Sequence, residues 1–133
     1  MAAEGLSPAL EELVAHHLDS MEQAEVLLLL RKHAGRSWTP EAAAGELRID
    51  PGSVAQRLGR LEAGGLAARE PGGGYRYAPR TAALGSAVDE LAAAYNERPV
   101  TLVRLIYSRP QAPSAIQSFA DAFRIRKPDK PGG

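Results

Sequence analysis

Residues 39–66 read TPEAAAGELRIDPGSVAQRLGRLEAGGL, and the fold turns on how this stretch is parsed. Thr39-Pro40-Glu41 opens a helix with a capping hydroxyl, a proline at the first helical position and an acid in the first turn. Free N–H groups and the positive end of the helix dipole favour those residues there. The helix is short, ending near Leu47, and Arg48-Ile49-Asp50 leaves only a tight turn. Ile49 is expected to be buried between the helices it joins. Asp50-Pro51 repeats the start signal, Val54, Leu58 and Leu61 line one face of the next helix, and Gly64-Gly65 ends it. The opposite face carries Ser53, Gln56, Arg57 and Arg60.

Downstream, Leu66 to Arg69 and Tyr75 to Ala78 read as short strands joined through Pro71-Gly72-Gly73-Gly74. Tyr75 and Tyr77 alternate with Arg76, and the outer face of this hairpin is assigned to Arg69 and Arg76. Upstream, Ser20-Met21-Glu22-Gln23 has the form of a capping box, with serine and glutamine side chains each satisfying a free N–H. It starts a helix that reaches about His33, with Gly35 free to take the left-handed closing conformation. Its run Val26 to Leu30 is apolar nearly all round, which suits a central helix. Ser7-Pro8 opens an earlier helix, with Leu10, Leu13, Val14 and Leu18 on one face.

After Pro79, Leu84, Val88, Leu91 and Tyr95 form a helical stripe from about Thr81 to Asn96. Pro99 opens a further element with Val100, Val103, Ile106 and Tyr107 at helical spacing. A helix is preferred there, although the segment is also rich in strand-forming residues. Pro110 and Pro113 interrupt the chain, Ser114 to Gln117 forms another capping box, and Ile116, Phe119, Ala120 and Phe123 make an apolar stripe before a polar tail.

Composition limits the chemistry. The 133 residues contain no cysteine, which excludes disulfides, thiol nucleophiles and cysteine-ligated metal sites. Sixteen basic groups balance sixteen acidic ones, against a nonspecific nucleic-acid coat. The distribution is uneven, however: residues 1–30 are acidic, 31–80 basic, 81–97 acidic and 98–133 basic. No apolar run approaches a membrane span, and the acidic start lacks the pattern of a secretory signal, so a cytoplasmic location is expected.

The order helix, short helix, tight turn, helix and two-stranded hairpin resembles the winged helix-turn-helix domain of bacterial transcription regulators, broadly of the multiple-antibiotic-resistance-regulator type. The likeness rests on residues 39–66 and the glycine hairpin, and covers roughly residues 20–80. The flanking helices, notably Ser118 to Lys127, resemble a small bacterial family to which no activity is assigned. The fold expected is mainly α with a small β-hairpin, a winged helix-turn-helix with additional N- and C-terminal helices. Its parts would be an N-terminal helix at 1–19, the winged unit at 20–80, C-terminal helices at 81–127 suited to dimerisation, and a flexible tail at 128–133.

The function expected is sequence-specific binding of double-stranded DNA by a transcriptional regulator, with residues 51–63 in the major groove. Arginine pairs bidentately with guanine and glutamine with adenine, so Ser53, Gln56, Arg57 and Arg60 are the expected base readers. Gly52 and Gly59 would let the backbone come close to a phosphate. Phosphate anchoring falls to Thr39, at a helix N-terminus, and to Arg69 and Arg76. The resemblance implies that the wing, residues 66–78, touches the backbone or minor groove. This reading requires the segment after Asp50 and the glycine-tipped hairpin to form a positively charged, open face; arginines hidden in a subunit contact, or each paired with a carboxylate, would overturn the regulator reading.

The alternative is a winged-helix adapter that binds another protein without specific DNA recognition. Excess apolar surface on the outer helices points to a homodimer. A membrane partner is not expected. An enzyme is disfavoured: nothing orders Ser, His and Asp into a triad, and no paired carboxylates are legible. No cofactor or metal is expected, since His16 and His17 point about 100° apart on a helix. Trp38 is expected to plug the core rather than stack on a base.

Overall fold

A computed structural model describes residues 6–108. Among the described residues the chain is mainly helical with one small antiparallel hairpin, in the order α1 (Pro8–His17), α2 (Met21–Lys32), α3 (Pro40–Leu47), α4 (Pro51–Ala63), β1 (Ala67–Arg69), β2 (Tyr75–Tyr77), α5 (Ala82–Glu97) and α6 (Pro99–Ser108). The Ser114–Gln117 box, the Ile116–Phe123 stripe and the tail lie outside the described residues.

The caps follow the sequence. Ser7, Ser20, Thr39, Asp50 and Thr81 each accept a hydrogen bond from a backbone N–H in the first turn of the following helix. Each such bond satisfies a donor that the helix leaves unpaired, worth about 1 kcal/mol. The second half of the box at Ser20 does not form. Gln23 is buried and turns toward α4, donating to the Arg57 carbonyl at 3.5 Å and accepting from the Arg57 guanidinium at 3.1 Å. The Met21 N–H at the start of α2 instead donates to the Tyr107 hydroxyl of α6, at 2.9 Å.

α3 and α4 pack closely across the turn at Arg48–Asp50. Arg48 closes α3 in the left-handed region at φ 60°, which tightens that turn. Ile49 is only half-buried, resting against the edge of the core instead of filling it. The inner faces are as the spacing predicts, with Val54, Leu58 and Leu61 buried.

The hairpin pairs Ala67 with Tyr77, Ala68 with Arg76 and Arg69 with Tyr75. Trp38 adds one antiparallel bridge on the other side of Tyr75, through two backbone bonds of 2.8 Å. This register corrects the assignment of Arg69 and Arg76 to one outer face. Residues directly opposite one another share a face, and neighbours along a strand alternate, so Arg69 lies with Tyr75 and Arg76 lies on the other side.

One continuous apolar cluster runs from Leu6 to Ile106, with α2 at its centre and α1 packed on α5 and α6. The Trp38 side chain is 1% exposed, a core plug as expected. The segment after Pro99 is a helix, but its faces are not those of the predicted stripe. Leu102 and Ile106 are buried, whereas Val100, Val103 and Tyr107 point outward.

Candidate nucleic-acid interface

The outer side of α4 is built by its own periodicity. With Val54, Leu58 and Leu61 turned inward, Gly52, Ala55, Gln56, Arg60, Glu62 and Ala63 are exposed, while Ser53 and Arg57 fall on the flank facing the start of α2. That flank is where the acidic N-terminal block meets the basic middle of the chain. The Ser53 hydroxyl donates to Glu22. Arg57 Nε donates to Glu22 at 3.0 Å, and its Nη1 reaches Asp19 at 3.2 Å as well as Gln23. Asp19 also holds Arg60, at 2.5 Å. The Ser53 hydrogen bond, followed by the Arg57 guanidinium, keeps the Glu22 carboxyl below its ordinary range.

These contacts correct the predicted site. Arg57 has a 20% exposed side chain and several partners, so it braces α4 against α2 and is not presented to a groove. Ser53 is engaged in the same brace. Arg60 differs: its side chain is 58% exposed and has a carboxylate on one side only. Arg76 pairs with Glu70 at 2.9 Å, again half-exposed. The expected open, unpaired basic face on α4 is therefore absent; both of its arginines meet acids. Exposed pairs of the Arg60 and Arg76 kind are worth only about 0–1 kcal/mol and exchange readily for another anion, whereas the multiply bonded Arg57 does not.

Gln56 is exposed, and its side chain has no hydrogen-bond partner among the described residues. Thr39 is exposed too, with its hydroxyl committed to capping α3. Arg69 is exposed, its guanidinium carbon 5.8 Å from the centre of the Tyr75 ring, and no carboxylate pairs with it. The sequence reading missed Arg36, whose guanidinium carbon lies 3.8 Å from the Trp38 ring centre. Through the Trp38–Tyr75 bridge, the segment that carries Arg36 runs along one edge of β2, while Arg69 stands on β1 at the other edge. Trp38 two residues after Arg36 was the available signal, since an arginine near an aromatic ring readily stacks on it. Asp19 and Glu22 were missed as partners of α4, although the alternating charge blocks held that information.

Elsewhere, Glu25, Arg31, Lys32, Glu46, Leu47 and Tyr95 are among the residues lining an open groove of about 590 Å³ between α2, α3 and α5. The Tyr95 hydroxyl donates to Glu25 at 3.3 Å, and burial together with that carboxylate raises its pKa. His16 pairs with Glu12 at 3.4 Å, while burial, then His16 and Arg80, lower the pKa of His17. Among the described residues no cluster of three His, Cys, Asp or Glu side chains could hold a metal ion, and no helix is long and apolar enough to cross a membrane. No family model, curated protein or solved structure matches the chain.

Proposed function

We propose that the chain is a winged helix-turn-helix regulator that binds double-stranded DNA, with a contact set narrower than the sequence reading gave. With both α4 arginines meeting acids, the observation that carries this is the pairing of α3 and α4 across a three-residue turn, beside a hairpin bridged to Trp38, with Arg69 on that hairpin and Arg36 in the segment before Trp38 both free of carboxylates. Two helices so joined leave the outer side of α4 convex and slim enough for a major groove. In this reading Gln56 is the main base reader, with Arg60 joining it by exchanging Asp19 for a base or phosphate. Arg36, Arg69 and Arg76 hold the backbone, together with the α3 N-terminus at Thr39. Arg57 and Ser53 set the angle of α4 and contact no DNA.

The test is selection of bound duplexes from a random pool, followed by affinity against salt. Enrichment of a short motif is expected. With about three or four phosphates neutralised, log affinity should fall against log salt with a slope of roughly −2.7 to −3.6. A folded chain that enriches nothing at low salt refutes the proposal.

A second reading, a protein-docking adapter, is favoured by one observation. The exposed part of α4 is largely small and near-neutral, with Gly52, Ala55 and Ala63 beside a neutralised Arg60. It predicts sequence-blind, weak DNA binding and loss of a protein partner on Ala55→Arg.

A further inference from the structure

All of the large apolar side chains that are exposed among the described residues lie on one helix: Val100 at 63%, Val103 at 38% and Tyr107 at 54%. Their spacing of three and then four residues puts them within one narrow face of α6. The opposite face, Leu102 and Ile106, is fully buried against the core. α6 is fixed in place, because the Tyr107 hydroxyl accepts the Met21 N–H at the start of α2. A helix apolar on two faces normally has a neighbour on each.

We infer that residues 114–124 form a helix that docks on the Val100–Val103–Tyr107 face of α6 within the same chain. The chain that follows α6 fits this role. Arg109 to Pro113 is a five-residue connection with prolines at 110 and 113, which stop one helix and allow another to begin. Connections of that length join adjacent antiparallel helices. Ser114 to Gln117 supplies a start signal, and Ile116, Phe119, Ala120 and Phe123 recur at helical spacing. Ten residues of helix span about 15 Å, the length of α6 itself.

Area decides between this occupant and a second copy of the chain. A stable two-fold interface removes roughly 800 Å² from each partner. Three partly exposed side chains on a ten-residue helix offer well under half of that. One short amphipathic helix is the cover that matches them. This inference is independent of what α4 binds.

The absence of cysteine makes the test direct. Val103→Cys is combined in turn with Ile116→Cys, Phe119→Cys and Phe123→Cys in the full chain, with Val103→Cys and Lys130→Cys as the control. In dilute oxidation, at least one of the three pairs should close within a single chain about tenfold faster than the control, because docking raises the local concentration of the thiols. Chiefly interchain bonds would assign the face to a second copy, and closure no faster than the control would leave it without this cover; either result overturns the inference. Hydrogen exchange on the unaltered chain provides a second reading. Amides 116–123 should exchange at least about tenfold more slowly than amides 128–133, and Val103→Asp should abolish the difference. Equal exchange in the unaltered chain refutes docking.

Discussion

Arg57 and Glu22 meet at 3.0 Å across the contact between α2 and α4, and Ser53, Asp19 and Gln23 complete the network around them. The arrangement fixes α4 to α2 at its polar flank as Val54 and Leu58 fix it through the core. Removing the arginine leaves Glu22 without a cation and Asp19 with Arg60 alone, and strips the buried Gln23 of its guanidinium contact while its bond to the residue-57 carbonyl remains. Arg57→Ala should therefore lower stability by about 1–3 kcal/mol. Arg60→Ala, at an exposed pair, should change it by less than about 0.5 kcal/mol. Urea unfolding of both variants checks the contrast, and equal losses would show that the brace does not depend on Arg57.

Asp19 bridges two arginines, and its effect on binding should oppose its effect on stability. Asp19→Asn removes the anion that occupies Arg60 and leaves Arg57 held by Glu22. Under the DNA reading, affinity for a selected duplex should rise roughly twofold to fivefold at low salt, the worth of one exposed ion pair. Stability should fall slightly at the same time. Fluorescence anisotropy decides this, and unchanged affinity would mean that Arg60 does not meet the duplex.

Two groups make stability depend on pH in separate windows. Glu22 has a lowered folded pKa, first through Ser53 and then through Arg57, against an ordinary value of 4.5. A depressed carboxyl stabilises the fold above its unfolded pKa, and that contribution is lost as pH falls through the lower folded value. His17 is also lowered, by burial, His16 and Arg80, against an ordinary 6.5. Its neutral form is the one the fold favours. The gain is thus present above pH 6.5 and is lost as pH falls through the lower folded pKa. Urea midpoints should decline first below about pH 6.5 and again below about pH 4.5. His17→Gln should flatten the first decline and Glu22→Gln the second; a His17 NMR titration at or above the ordinary 6.5 would contradict the first assignment.

Much of the fold was legible because local signals agreed with one another. Four helix starts and the hairpin fell where Ser7, Ser20, Thr39, Asp50 and the glycine turn placed them, and α5 fell on the stripe read from about Thr81. Those signals are local, and so they survive without tertiary knowledge. The face of α6 was not legible, because Val100, Val103, Ile106 and Tyr107 leave apolar groups on both sides of the helix and periodicity cannot say which one the core takes. The site was read less well for the same reason. Ser53, Gln56, Arg57 and Arg60 share a polar side of α4, but only the position of α2 separates Gln56 and Arg60 from Ser53 and Arg57. Asp19 and Glu22 are more than thirty residues from Arg57 in sequence, and their charge was visible only as part of an acidic block. The separation of Arg69 from Arg76 follows from strand alternation and from a register that the glycine turn left open.

The glycines around α4 make opposite predictions that test both the turn and the outer face. Gly65 sits at φ +82°, and a Cβ there would lie 2.9 Å from the guanidinium carbon of Arg80. Its carbonyl accepts from the Arg80 N–H at 2.7 Å, so the same residue sets where the hairpin leaves α4. Gly65→Ala should cost about 1–3 kcal/mol, since both the backbone and the arginine must shift. Gly59 has ordinary helical geometry, and a Cβ there would meet nothing within 4 Å. Gly59→Ala should raise stability by about 0.5–1 kcal/mol by stiffening the helix and the unfolded chain. Calorimetric melting of the two variants gives the signs. The Gly59 variant carries a further consequence, because the added methyl stands on the side of α4 proposed to enter the groove. A chain that melts higher yet binds its selected duplex more weakly is the expected outcome; equal or tighter binding would place the Gly59 edge away from the DNA.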